Sequence, residues 1–173
     1  MRIMHCADIH LGRTRQGGCL PEGDFGRAFE RIVQRTLEWK ADVLLIAGDF
    51  FDQHRIEPRT LRQAEELLAP LQKSHTLVLA IEGNRDRAPS GQQAGWLDHL
   101  ARRQLLTLLG NPFTAQGIAL APPQGPAAFN IHQGLRFIGA GYLGAGLEDR
   151  LRELLDALPP GTPRAREDQP AAR

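Results

Sequence analysis

The 173 residues carry 21 lysine and arginine side chains against 20 aspartate and glutamate side chains, which leaves a formal net charge of +1. A chain of this length with 42% hydrophobic residues can bury one core and has the size of a single domain. The balanced charge excludes recruitment of nucleic acid by a global positive field, so we expect any contact with DNA to be local.

The sequence also lacks the patterns of export and membrane insertion. No run approaches the roughly 18 apolar residues that a membrane span needs, and the first residues do not resemble a signal peptide. Cys6 and Cys19 follow no metal-ligand spacing and are predicted to be free thiols. We therefore expect a cytoplasmic protein with no membrane partner.

Strand-like and helix-like patterns alternate along the first hundred residues, which predicts an α/β fold. Continuous apolar runs predict strands that are covered on both faces, and apolar residues at helical spacing predict helices that pack on the sheet. In chain order, the sequence predicts a strand at 3–7, a loop at 12–23, a helix from Asp24, a strand at 42–47, a helix from Pro58, a strand at 76–81 and a helix at 91–103.

The pattern changes beyond residue 105 to short strands separated by turn residues. Gln133 and Gly134 predict a hairpin turn, and residues 161–173 have no sizeable apolar side chain and are expected to be a disordered tail. We therefore expect one domain at 1–160. Its last elements are predicted as strands at 105–109, 117–121, 129–132 and 135–139 and a helix at 147–158.

Side chains that can bind a metal follow the first three predicted strands. Asp8 and His10 are two residues apart, so they point the same way on an extended chain. Asp49 ends the second covered strand and Asn84 follows the third. Because the carboxyl ends of parallel strands meet at one edge of a sheet, we expect the four to converge there. Such a mixed oxygen and nitrogen set suits Mn, Fe or Zn.

Each of these patterns alone has an ordinary explanation, because Gly-Asp and Gly-Asn are common turn sequences. Their order and their placement after three apolar strands favour a metal site. The motifs Asp8–His10, Gly48–Asp52 and Gly83–Asp86 resemble the first three motifs of the calcineurin-like metallophosphoesterases. The segments 1–12 and 47–52 are similar to DNA-repair exonucleases of the SbcD/Mre type.

The resemblance covers the N-terminal part of that family's domain, roughly residues 1–160. It implies an α/β sandwich with α-β-β-α layers, truncated at its C-terminal end. Protein phosphatases of the superfamily carry Arg-Gly after the second motif, whereas Gln53 and His54 follow here, which argues against a phosphoprotein substrate.

The resemblance implies two divalent metal ions, with Mn expected. In that arrangement Asp8 and His10 hold the first ion, Asp49 bridges both, and Asn84 holds the second. Asp52 is expected to orient a ligand or a loop, with an ordinary turn residue as the alternative. Such a pair of ions clamps a phosphodiester and activates the attacking water.

Arginine side chains supply the remaining predicted roles. Arg85 stands at the catalytic position where the family has a histidine. A guanidinium, with a pKa above about 12, cannot donate a proton near neutral pH, so we expect impaired catalysis. Arg13 and Arg15 are candidates for DNA contacts, with a solvated loop as the alternative.

The family's later histidines are also missing. His132 is the only histidine after His99, and it is predicted to lie on the surface beside the hairpin turn. We expect DNA as substrate, and the resemblance implies an SbcC-like ATPase subunit and a homodimer as candidate protein partners. We expect this chain to lack the C-terminal region through which the family engages its ATPase, so this partner is implied by the resemblance only.

Three functions remain as hypotheses at this point. The first is a metal-dependent DNA exonuclease or endonuclease of double-strand break repair. The second is a non-catalytic remnant or DNA-binding module. The third is a phosphohydrolase that acts on nucleotides or small phosphodiesters.

Overall fold

The computed structural model describes residues 1–13, 24–88, 94–114, 117–120, 127–144 and 146–158. The predicted alternation of strands and helices is confirmed in these residues. The first elements are β1 (Ile3–Cys6), α1 (Asp24–Glu38), β2 (Val43–Ala47), α2 (Pro58–Lys73), β3 (Leu77–Ile81), α3 (Trp96–Arg102) and β4 (Thr107–Leu108). The later ones are β5 (Phe113–Thr114), β6 (Gly117–Ile118), β7 (Phe129–His132), β8 (Leu135–Ile138) and α4 (Leu147–Ala157).

Four strands form a parallel sheet in the order β1-β2-β3-β4. Cys6 pairs with Ile46, and Ile46 pairs with Ala80, so the carboxyl ends of β1, β2 and β3 lie in register. The loops that follow these three strands therefore meet at one edge of the sheet. This is the arrangement that the positions of the motifs predicted.

Helices cover one face of the sheet. Phe29 and Val33 on α1 and Leu68 on α2 are buried against sheet residues in one cluster. α2 begins at Pro58, whose fixed φ and missing N–H suit the first turn of a helix. Each fully buried side chain of this size stabilises the fold by about 1.5–3 kcal/mol.

The opposite face of the sheet packs against a second layer. Val43 and Leu79 point to that face and form a cluster with Leu109 and Phe137. Phe137 belongs to β8, which pairs with β7 in an antiparallel hairpin. The chain therefore has a layer of helices, a parallel sheet and a layer that includes this hairpin.

The predicted hairpin turn is confirmed. Gln133 has φ 47° and Gly134 has φ 80°, and two consecutive positive φ angles match the right-handed twist of the flanking strands. His132 ends β7 beside this turn and is half-buried. Among the described residues, no helix is long and apolar enough to cross a membrane.

Several element boundaries differ from the prediction: the strand predicted at 105–109 is shorter, at Thr107–Leu108, and the strand β5 was not predicted. The helix predicted to start at 91 begins at Trp96 among the described residues, and the strand predicted at 117–121 ends at Ile118, which pairs with Phe113, the first residue of β5. The chain divides into two compact units, Met1–Tyr142 and Leu143–Arg173, and α4 is the described element of the second. Arg15, Cys19 and the 161–173 tail lie outside the described residues, so the predictions for them stay predictions.

Candidate metal centre

The backbone at the carboxyl ends of β1 and β2 is folded in an unusual way. Asp8, His10 and Asp49 have φ angles of 54°, 49° and 48°, in the left-handed region that residues other than glycine seldom adopt. Hydrogen bonds hold the two segments together: Asp8 N donates to Gly48 O at 3.1 Å and His10 N to Asp49 O at 3.0 Å. Left-handed residues of this kind are about 1–3 kcal/mol less stable than ordinary ones and gather at functional sites.

This backbone brings three of the predicted ligands together. One side-chain ligand atom from each of Asp8, His10 and Asp49 lies within 4.8 Å of the other two. The His10 side chain is 13% exposed and the Asp49 side chain 19%, whereas the Asp8 side chain is 74% exposed. The group is therefore closed on its protein side and open to solvent at Asp8.

The surroundings of His10 fit a metal ligand. Its Nδ1 lies 3.3 Å from Oδ1 of Asp52, and both atoms are buried and make no hydrogen bond of standard geometry. Its Nε2 lies 3.9 Å from Oδ1 of Asp8. A proton on Nδ1 that points at Asp52 leaves the lone pair of Nε2 free on the side of the cluster. The donor set and this orientation both suit a divalent transition metal ion.

Two glycines allow the loops after β2 and β3 to approach each other. A Cβ on Gly83 would overlap the backbone N and the carboxylate of Asp49, and a Cβ on Gly48 would lie 2.9 Å from Cα of Gly83. Glycine is the only residue that permits this contact. The turn that carries Asn84 follows Gly83 directly, and Asn84 is exposed there.

The carboxylate of Asp86 links these two loops by hydrogen bonds. Its carboxylate accepts hydrogen bonds from the backbone N–H groups of Phe50 at 3.1 Å, Phe51 at 2.9 Å and Gly83 at 2.9 Å. Burial raises the pKa of the Asp86 carboxyl, the three hydrogen bonds oppose that shift, and the charge of Asp49 adds to it. The sequence placed Asp86 at the end of the third motif but assigned it no role, because these backbone contacts need the folded loops.

The Arg85 side chain lies beside the carboxylates of Asp49 and Asp52 in the second motif. Its backbone N–H donates to Oδ1 of Asp49 at 3.0 Å, and its Nε lies 3.8 Å from Oδ2 of the same residue. Its Nη1 donates to the backbone carbonyl of Asp52 at 2.8 Å and lies 3.7 Å from Oδ1 of Asp52. The guanidinium therefore brings positive charge into the site.

Arg13 reaches the same site from the loop after β1. Its Nε lies 3.9 Å from Oδ1 of Asp52, and its guanidinium packs over the ring of Phe25 at 5.4 Å. It lines a cleft of about 480 Å³ together with Arg55, which precedes α2, and Arg62 in the first half of α2. Acidic side chains, those of Asp52, Glu57 and Glu66, line the same cleft, so it presents charges of both signs.

Comparisons with known proteins agree with this geometry. A family model described as calcineurin-like phosphoesterase matches residues 1–161. The chain is 34% identical over 119 residues to the DNA double-strand break repair protein Mre11 of Archaeoglobus fulgidus, covering 68% of this chain and 27% of that protein. It is 34% identical over 119 residues to the protein of that name in Haloferax volcanii, covering 68% of this chain and 26% of the relative.

A third relative with that name, from Aeropyrum pernix, is 38% identical over 85 residues, which are 49% of this chain and 21% of the relative. The matched segments thus span about a quarter of the length of these relatives. The parallel sheet, the covering helices and the group formed by Asp8, His10 and Asp49 are consistent with the fold and the metal dependence of the matched family. This chain belongs to the calcineurin-like phosphoesterases, a family of hydrolases, and corresponds to the N-terminal part of its Mre11 relatives.

Proposed function

We propose that this chain hydrolyses phosphodiester bonds of DNA with the help of manganese, as a nuclease of the SbcD/Mre type. The observation that carries the proposal is the group formed by Asp8, His10 and Asp49, whose ligand atoms lie within 4.8 Å of one another. Relatives named for DNA double-strand break repair support DNA as the substrate.

The side chains around this group have distinct tasks in the proposal. Asp52 keeps the proton of His10 on Nδ1, 3.3 Å away, so that Nε2 is available as a ligand. Asp49 and Asp8 supply carboxylate oxygens, and Asn84 is a further candidate oxygen ligand in the adjoining turn. A divalent ion bound there supplies Lewis acidity for the phosphodiester and acidifies the attacking water.

The substrate strand is proposed to enter along the cleft lined by Arg13, Arg55 and Arg62. Guanidinium groups bind phosphate oxygens through paired N–H donors, and they fix a backbone without reading its bases. Among the three, Arg13 approaches the site most directly in this proposal, since its Nε lies 3.9 Å from Oδ1 of Asp52. Arg15 is proposed to extend the same contact.

Turnover is proposed to be slow. Arg85 donates hydrogen bonds and positive charge at the position where the resemblance implies a histidine, but it cannot transfer a proton near neutral pH. The loss of a general acid lowers the rate by about a hundredfold to ten-thousandfold. An SbcC-like ATPase subunit and a homodimer are further proposals that rest on the family resemblance.

The proposal is tested with an end-labelled blunt duplex DNA in the presence of Mn²⁺. The wild type is compared with Asp49→Asn, which removes a ligand charge, and with Glu38→Gln, which removes a charge at the end of α1, where the ion pair with Arg35 is exposed. We expect cleavage by the wild type and Glu38→Gln and none by Asp49→Asn. Equal cleavage by all three would refute the assignment of the site.

The same preparation separates the alternative functions. Hydrolysis of bis(4-nitrophenyl) phosphate without cleavage of DNA would favour a small-phosphodiester hydrolase. DNA binding that is independent of Mn²⁺ and accompanied by no turnover of either substrate would favour a binding module. The Arg85→His variant, which restores a group able to transfer protons, is expected to cleave DNA faster than the wild type.

A further inference from the structure

We infer that the Arg85 guanidinium takes the place of a second cation at Asp49, so that this chain binds one divalent metal ion. The inference rests on the proposed metal site and concerns how its charge is balanced. The family resemblance implies two ions that share Asp49, and in this chain a fixed positive charge lies against that carboxylate.

Arg85 engages both oxygens of the Asp49 carboxylate. Its backbone N–H donates to Oδ1 at 3.0 Å, and its Nε lies 3.8 Å from Oδ2. Its Nη1 is anchored on the far side by the backbone carbonyl of Asp52 at 2.8 Å. The guanidinium is thus held in place by a neutral acceptor as well as by charge, and it gives the Asp49 carboxylate a positive partner within the protein.

The residues that the structure describes offer few ligands for a second ion. Within its described part, the single group of converging His, Cys, Asp or Glu side chains consists of Asp8, His10 and Asp49. Asn84 adds one neutral oxygen donor. Divalent transition metal ions bound by proteins usually have three or more protein ligands, so a second ion beside Asn84 would lack most of its shell.

His132 cannot complete such a shell, although it is the only histidine in the last third of the sequence. Its neighbour Gln133 lies 3.5 Å from Asp42, and His132 itself contributes to lowering the pKa of the Asp42 carboxyl, after the larger effect of the Arg2 N–H. Asp42 precedes β2 and Asp49 follows it. Because the five-residue strand β2 lies between them, Asp42 and Asp49 are about 16 Å apart. His132, which is near Asp42, is therefore far from Asp49.

A divalent ion at the described group and a guanidinium at Asp49 repel each other and compete for the same negative charge. At a separation of about 5 Å and an effective dielectric constant of about 40–80, removal of the guanidinium charge is expected to tighten metal binding by about tenfold or more. Arg85→Gln removes the charge and keeps a polar side chain. Arg85→Lys keeps the charge.

The test is calorimetric titration of the whole chain with MnCl₂, together with electron paramagnetic resonance of the bound ion. We expect one equivalent in the wild type, with the hyperfine pattern of an isolated Mn²⁺. We expect Arg85→Gln to bind Mn²⁺ about tenfold more tightly and Arg85→Lys to bind within about threefold of the wild type. Arg87→Gln is the matched control, because Arg87 lies in the same turn and its charge acts on Glu82.

Two equivalents in the wild type, or the spectrum of a coupled Mn²⁺ pair, would overturn the inference and leave the proposed function intact. An unchanged affinity in Arg85→Gln, or an equal gain in Arg87→Gln, would also overturn it. Binding of no ion by a folded wild type would overturn both the inference and the proposed metal site. Circular dichroism checks that each variant is folded, and Arg85 is half exposed, so its replacement leaves the core intact.

Discussion

Asp86 accepts a hydrogen bond from the backbone N–H of Phe51 at 2.9 Å, across 35 residues of sequence. Phe51 is fully buried and its ring packs edge-to-face against Phe50, with centroids 4.8 Å apart. The loop that carries Asp49 and Asp52 is therefore fixed at its middle by two core aromatic rings and by one carboxylate. This attachment allows the strained backbone at Asp49 to persist.

Replacement of Asp86 by alanine is expected to lower the free energy of unfolding by about 3 kcal/mol, because three backbone N–H groups lose their acceptor. Urea unfolding followed by circular dichroism measures the change. Asp98→Ala removes a partly exposed aspartate that pairs with Arg102 on α3, and it serves as the control with an expected loss below about 1 kcal/mol. Equal losses in the two variants would contradict the role assigned to Asp86.

The parallel sheet and the convergence of three of the four predicted ligand residues could be predicted from the sequence because both depend on local patterns. Apolar runs such as 43–47 can be satisfied only by strands that are covered on both faces, and parallel strands bring their carboxyl ends to one edge. The convergence of Asp8, His10 and Asp49 then follows from their positions in the chain.

The contacts within the site could not be predicted in the same way. The hydrogen bonds from Phe50 and Phe51 to Asp86 and the approach of Arg85 to Asp49 depend on how two loops pack, because they join residues 35 or 36 positions apart in sequence. No periodicity encodes such pairs. The left-handed φ of Asp8 is accompanied by a tertiary contact of the same kind, the hydrogen bond from its backbone N–H to the carbonyl of Gly48.

Asp52→Asn is expected to weaken Mn²⁺ binding by about tenfold to a hundredfold. The asparagine amide can donate to Nδ1 of His10, 3.3 Å from the present carboxylate oxygen, which would move the imidazole proton to Nε2 and block the ligand position. Calorimetric titration with MnCl₂ measures the affinity, and Asp98→Asn removes the same charge on α3. An unchanged affinity in Asp52→Asn would show that His10 does not depend on Asp52 for its orientation.

Cys6 is expected to resist alkylation in the folded chain. Burial raises the pKa of its thiol from 9.0 to about 12, and its Sγ donates to the carbonyl of Leu45 at 3.4 Å. The thiolate is the reactive form, so iodoacetamide at pH 8.5 should modify Cys6 far more slowly than it does in urea. A Cys19→Ser background makes Cys6 the only thiol. Equal rates with and without urea would contradict the burial of this side chain.

The same shift in the pKa of Cys6 predicts a loss of stability at high pH. Below pH 9 the thiol is protonated in both states, so it makes no difference to the free energy of unfolding. Between pH 9 and about 12 the unfolded chain releases the proton and the folded chain keeps it, which favours unfolding. Cys6→Ala removes this part of the pH dependence, which urea unfolding at pH 8 and pH 10 would measure. If the free energy of unfolding changed equally between pH 8 and pH 10 in Cys6→Ala and in the wild type, Cys6 would not contribute to the pH dependence.

Manganese is expected to stabilise the fold, because the three ligands lie on loops that converge only in the folded chain. At a free Mn²⁺ concentration of about 100 times the dissociation constant, one bound ion raises the free energy of unfolding by about 2.7 kcal/mol. Thermal unfolding with Mn²⁺, and again after addition of EDTA, measures the gain and its reversal. Asp49→Asn should show no gain, whereas Glu38→Gln, changed at the exposed end of α1, should gain as much as the wild type. An equal gain in Asp49→Asn would place the bound ion elsewhere on the chain, and it would remove the link between metal binding and the loops after β1 and β2.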